Sequence, residues 1–308
     1  MKRTLITGAA SAGRSLRVLV TSAMLFAALA VTNAGVSPSA AAATISVRHD
    51  GATSLFYTTS GAGTGLPNGA EIFAIAVNGA TVTTRDIGTT YGGDCGSLAL
   101  SPHGTLYSMC GDLFGPRPQQ LATIDKKTGR AHLFGVGVPG LAVMAMTFGR
   151  DGTLYAVGDC NPDPVTFECN TPSSPPDPNY NSLYKVDVKT GAFTRIGPTG
   201  APQFFMDLAI DCHGNMLGVT TTLNPTSTPA IVYRIDLATG QAAPLFNLTG
   251  PSNYVMGLAF GRDGKLYATD NFNPSGLYLI GTKTGAETTI AALPFGSSSD
   301  LVLMNPGE

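Results

Sequence analysis

Short apolar runs separated by tight polar turns recur along the chain. The runs "GSLAL" (96–100), "MAMTF" (144–148), "MDLAI" (206–210) and "MGLAF" (256–260) each lead through a turn into a second run, "TLYSM", "TLYAV", "NMLGV" or "KLYAT". Apolar alternation on both sides of a turn predicts a β-hairpin. The turn glycines Gly104, Gly152, Gly214 and Gly264 are spaced by 48, 62 and 50 residues. Half a period later a second hairpin pattern recurs: "LATIDKKTG" (121–129), "LYKVDVKTG" (183–191), "VYRIDLATG" (232–240) and "LYLIGTKTG" (277–285). Gly suits the last turn position because it accepts positive φ without steric cost. Two hairpins per period make a four-stranded antiparallel sheet, and the period is that of a propeller blade.

An incomplete copy precedes these, "SLFYTTS" (54–60), "EIFAIAVNG" (71–79) and "TVTTRDIG" (81–88), whose first strand is doubtful. The C-terminal "SDLVLMNPG" (299–307) matches "MDLAIDCHG" in position and character. The two chain ends are therefore expected to share a blade, which closes the ring and hides its edges. The prediction is an all-β, five-bladed β-propeller, with blades at about 44–90 plus 299–305, 93–136, 142–198, 204–248 and 254–292. An open array or a sixth blade is the competing arrangement, and "TISVRH" (44–49) could serve as the first strand of blade 1 instead.

Composition adds a compartment. Lys2, Arg3, Arg14 and Arg17 precede or border the apolar "VLVTSAMLFAALAV", and a small-residue tract follows to Ala43. This order predicts an export signal over residues 1–43 and a secreted, periplasmic or cell-surface mature domain over 44–308. No apolar segment after it approaches the roughly 18 residues of a membrane span. Removing residues 1–43 takes four basic and no acidic side chains from a net charge of -2, leaving -6. An acidic exported protein is not expected to bind nucleic acid. The 38 Gly and 21 Pro, against 12% charged residues, fit turn-rich β structure.

Five cysteines suit an oxidising compartment. Cys95 and Cys110 flank the "SPHG" turn almost symmetrically and would face each other across a hairpin, while Cys160 and Cys169 bracket an insertion they could staple. Pairing of Cys110 with Cys160 is the alternative, and Cys212 is left over. Zinc is not indicated, since there is no C-x-x-C pair and the four His are scattered.

The motif G-L-A-F-x-x-D-G-x-L-Y-A-x-D followed by L-Y-x-I-D-x-x-T-G resembles secreted propeller repeats of the NHL, SMP-30-like and streptogramin-lyase-like families, over nearly all of residues 44–308. The resemblance implies the fold but no single activity, because such blades serve lactonases, lyases, receptors and scaffolds alike. It departs from the enzymes where their chemistry lies. The His pair of the lyases, the Glu with Asn partners of the SMP-30-like site and the "FTQGL" signature of five-bladed glutaminyl cyclotransferases have no match here.

Propeller geometry sorts the candidate chemistry. Asp94, Asp207 and Asp300 open first strands, while Asp112, Asp159 and Asp270 end second strands. All six, with Asn271 and the insertion 160–180, are expected on the face where propellers usually bind; the face carrying Arg262 and Asp263 is expected to be silent. Asp207, Asp300 and Asp270 are the candidate oxygen ligands for Ca²⁺. The competing reading is that Asp at strand ends bonds nearby backbone N–H groups. Met144, Met206 and Met256 share one blade position, as soft ligands or as core. The function expected is binding of a small molecule, glycan or protein at the acidic mouth of the channel. A metal-dependent lactonase, a lyase or a cyclotransferase is the alternative.

Overall fold

The computed structural model describes residues 53–61, 69–91, 94–111, 118–137, 141–160, 181–221, 229–252 and 254–304, all within the unit Ala43–Glu308. Every regular element among them is a β-strand, and no helix there is long and apolar enough to cross a membrane. Blade 1 contains β1 (Ser54–Ser60), β2 (Glu71–Asn78) and β3 (Thr81–Thr89). Blade 2 is β4 (Cys95–Leu100), β5 (Leu106–Cys110), β6 (Gln120–Ile124) and β7 (Ala131–Leu133). Blade 3 is β8 (Leu141–Phe148), β9 (Leu154–Cys160), β10 (Ser182–Val186) and β11 (Phe193–Pro198). Blade 4 is β12 (Phe204–Ile210), β13 (Met216–Thr221), β14 (Ile231–Ile235) and β15 (Ala242–Asn247). Blade 5 is β16 (Val255–Phe260), β17 (Leu266–Asp270), β18 (Gly276–Ile280) and β19 (Glu287–Ala292).

The last strand, β20 (Val302–Leu303), pairs antiparallel with β1, Phe56 opposite Leu303 and Tyr57 opposite Val302, so blade 1 is made from both ends of the folded chain. The first strands β20, β4, β8, β12 and β16 touch in that order around the axis, and β16 returns to β20. The five-bladed ring closed by the C-terminal strand is thus the observed architecture.

A four-stranded blade has two apolar faces and cannot bury either alone. The core accordingly consists of five clusters, one at each boundary between neighbouring blades. Tyr57, Ile72 and Leu98 join blades 1 and 2; Met109, Leu121 and Leu154 join blades 2 and 3; Val157, Phe205 and Met216 join blades 3 and 4. Val219, Val232 and Leu266 lie between blades 4 and 5, and Phe56, Ile75 and Tyr267 complete the ring between blades 5 and 1. The tyrosines of the repeated "LY" phrases are part of this core, Tyr155, Tyr184, Tyr233, Tyr267 and Tyr278 all being buried.

The disulfide Cys95–Cys110 joins directly opposed residues of β4 and β5, as the symmetric spacing predicts, and excludes Cys110 from any pair with Cys160. A cross-link closing a loop of about 15 residues is worth about 3 kcal/mol through the unfolded state. Cys169 and the side chain of Cys160 lie outside the described residues, and Cys212 is free and exposed.

The Asp of the I-D-x-x-T-G turns is structural. In Asp125, Asp187 and Asp236 an Oδ1 accepts the backbone N–H of the residue two positions on, at 2.7, 2.8 and 2.9 Å. That donor, from Lys127, is the main reason the exposed Asp125 carboxyl lies below its usual range. The Gly that closes the turn does more than accept positive φ. At Gly240 (φ +81) an added Cβ would stand 2.6 Å from the carbonyl oxygen of Gly197 in β11, so the turn of one blade rests on the outer strand of the preceding one. At Gly264 (φ +73), in a turn between first and second strands, an added Cβ would meet nothing within 4 Å.

These two glycines separate conformation from contact. Gly264→Ala is expected to cost about 1–2 kcal/mol for the left-handed backbone alone, and Gly240→Ala a further ~1–3 kcal/mol because rigid backbone must move. Equal urea midpoints for the two variants, with equal slopes, would show that the contact between blades carries no energy.

Candidate functional site

The centre of the ring is built by the first strands, and four of them carry the same irregularity. The pairing register shifts between Gly96 and Ala99 in β4, Val143 and Ala145 in β8, Phe205 and Asp207 in β12, and Val255 and Gly257 in β16. Met144, Met206 and Met256 are the extra residues of the last three bulges, which explains their recurrence. All three belong to one apolar cluster, Met206 buried within it and the other two packed against it. A bulge leaves backbone N–H groups without ladder partners, and here they are buried.

Side chains from neighbouring blades satisfy them. Asp207 Oδ1 accepts the N–H of Leu208 at 2.7 Å, and its Oδ2 accepts Leu258 N–H at 2.7 Å and Leu301 N–H at 3.1 Å. One carboxylate therefore ties blade 4 to blades 5 and 1. Gln119 does the same between blades 2 and 3: its Oε1 accepts Val143 N–H at 2.7 Å, and its Nε2 donates to the Val143 carbonyl at 3.4 Å. Asp300 Oδ2 accepts the Thr59 hydroxyl at 2.7 Å. The N–H groups of Ser97 and Leu98 in blade 2 also stabilise its charge, though neither closes a hydrogen bond on Oδ1.

Asp207 and Asp300 are 1% and 0% exposed. Burial pushes both carboxyls up, and the repulsion of Asp300 adds to the rise at Asp207; Asp300 reaches about 8. Two interacting buried carboxyls do not both ionise readily in a dry site, so the pair holds a shared proton. Asp207 spends both oxygens on N–H donors, whereas Asp300 Oδ1 has no hydrogen-bond partner.

The third residue of the expected Ca²⁺ set lies elsewhere. Asp270 Oδ2 accepts the Tyr278 hydroxyl at 2.5 Å, and its Oδ1 accepts Gly276 N–H at 2.8 Å, which holds the link between β17 and β18. Burial first, and then the Asp270 carboxyl, push the Tyr278 hydroxyl well above its ordinary range. Among the described residues no three His, Cys, Asp or Glu side chains converge. Asp207, Asp300 and Asp270 therefore do not fit a Ca²⁺ ion: two are stitched into the ring and the third braces a loop of blade 5. Asp94 is half-buried before β4, its carbonyl accepting Gly111 N–H at 2.9 Å, and Asn271 N–H donates to the Tyr254 carbonyl at 3.0 Å. Asp159 lies in β9, opposite Ala142, with its side chain outside the described residues, as are Asp112 and most of the insertion 160–180.

Among the described residues a cavity opens on the face of the turns after the first strands, the face expected to be silent. Below the carboxyl pair, the ring is apolar in two tiers. Leu98, Met146, Leu208, Leu258 and Leu301 form the inner one, and Leu100, Phe148, Ile210, Phe260 and Leu303, two residues further along the same strands, form the outer one. Residues two apart share a side of a strand. They line a cavity of about 720 Å³ whose mouth carries Pro102, Arg150, Asp211, Cys212, His213 and Arg262 from the turns after the first strands. The tiers were visible in the sequence as L-A-L, M-T-F, L-A-I, L-A-F and L-V-L; that they border open space was not.

No protein-family model and no curated protein matches this chain. Similar solved structures include a gluconolactonase from Xanthomonas campestris, 14% identical over 75% of this chain and 78% of that one, with a TM-score of 0.46. Another is the PQQ-bound aldose sugar dehydrogenase of Streptomyces coelicolor, 16% identical over 61% and 59% of the two chains, TM-score 0.40. A third is a protein of unknown function from Bacteroides caccae, 14% identical over 82% and 99%, TM-score 0.42. None of these likenesses extends to substrate or mechanism in this chain.

The carboxyl pair has a pH signature. Because the folded Asp300 holds its proton up to about pH 8, against about 3.9 in an unfolded chain, its contribution to stability is complete below pH 4 and is lost as pH rises through 8. Asp300→Asn is expected to flatten the fall in melting temperature between pH 5 and 9 and to gain on the native protein at the alkaline end. Asp207→Asn, whose amide cannot accept all three N–H groups, is expected to cost about 1–3 kcal/mol at every pH. Parallel pH curves for the native and Asp300→Asn proteins would rule out the shared proton.

Proposed function

We propose that this protein is an exported β-propeller that binds a small apolar ligand along its axis, through the face bearing the turns after the first strands. The observation that carries the reading is the cavity of about 720 Å³ lined by two five-membered apolar tiers and rimmed by a few polar side chains. Ligand sites are typically concave, of roughly 300–1,000 Å³, mostly apolar, with a small number of placed polar groups. Binding rather than catalysis is favoured because both oxygens of Asp207 are taken by backbone N–H groups of the ring. Export is supported by the N-terminal basic, apolar and small-residue order, and the Cys95–Cys110 disulfide is compatible with it. Among the described residues Asp207, Asp300 and Asp270 do not converge into a metal site that would support the lactonase alternative.

The chain contains no Trp, so Phe260→Trp would place a single indole in the outer tier. Titration with 1-octanol is expected to give a saturable blue shift of its emission, with a Kd in roughly the millimolar range from about 0.8 kcal/mol per buried CH₂ less the cost of association. A non-saturable or absent response to every alkyl ligand tried would overturn the reading.

A further inference from the structure

The geometry points to an amphipathic carboxylate as the ligand of this cavity, its alkyl chain between the two apolar tiers and its head group between Arg150 and Arg262; this rests on the binding reading above. From the inner to the outer tier is two residues, roughly 7 Å at 3.3 Å per residue, and the turns bearing Arg150 and Arg262 lie beyond, a depth that admits an alkyl chain. The mouth supplies the complementary charge. Arg150 leans from blade 3 toward blade 4, one Nη donating to the carbonyl of Cys212, and Arg262 leans from blade 5 toward blade 1, its Nη2 donating to the Met304 carbonyl at 3.0 Å.

These bonds hold the guanidinium groups in place and leave other donors of each free. Neither arginine forms an ion pair among the described residues, where the Lys265–Asp263 pair stands apart. Asp211, the acid at the mouth, is engaged by the N–H of His213, the N–H of Asn215 and the Asn215 amide, each at 2.8 Å. The Nε of Arg262 is buried and has no hydrogen-bond partner among the described residues, so it is the remaining Nη donors that a ligand oxygen at the mouth would meet. A cationic mouth on a chain with an acidic balance thus selects an anion.

The Phe260→Trp protein titrated with octanoate, 1-octanol and octylammonium, at low and at high salt, tests this. Octanoate is expected to bind about tenfold more tightly than octanol at low salt, octylammonium more weakly than either, and the octanoate advantage is expected to shrink as salt rises. Arg150→Gln and Arg262→Gln should each reduce that advantage, octanol titrated in parallel registering any loss of the cavity itself. Equal affinities for octanoate and octanol would overturn the carboxylate assignment and leave the cavity reading intact. Failure of all three ligands would overturn both.

Discussion

The structure depends on how the buried N–H groups beside the bulges of the first strands are satisfied. Four of the five depart from their ladders, and a buried orphaned donor costs about 1–3 kcal/mol. Asp207 accepts three such groups and Gln119 accepts a fourth. Because each acceptor comes from a different blade than most of its donors, local hydrogen bonding and ring closure are one constraint. Without the closed ring Leu301 N–H would lose the Asp207 acceptor it shares with Leu258 N–H.

This constraint divides the axis chemically. Where the acids sit, Asp207 and Asp300 are buried and the methionines of the bulges belong to the core. Beyond it the strands resume regular alternation, and ten apolar side chains face one another across a space they do not fill. Acidic residues at strand ends invite a reading as ligands or catalysts, yet a carboxyl whose lone pairs are taken by backbone N–H groups has little left for a metal or a proton transfer. The turn face has the reverse character: its arginines and apolar walls are underused by the fold.

Much of the architecture is legible because its signals are local. Period-two alternation, the turn glycines and the I-D-x-x-T-G phrase specify hairpins within a dozen residues, and the symmetric flanking of "SPHG" is sufficient to pair Cys95 with Cys110. The role of Asp270 was within reach too, since its partner Tyr278 is eight residues away and recurs in the "LY" phrase. The repeated methionines were a visible sign of the bulges, without revealing that backbone donors are freed there.

The sequence by itself determined the strands, the turns, the number of blades and the closure by the C-terminal strand, because each is set by neighbours along the chain or by repetition of the same local pattern. Only the tertiary structure decided what the acids do and where the axis is open. Asp207 finds two of its donors 51 and 94 residues away, and the cavity is bordered by side chains drawn from five blades. Both outcomes are relations between residues brought together by ring closure, and no periodicity in a single strand carries them.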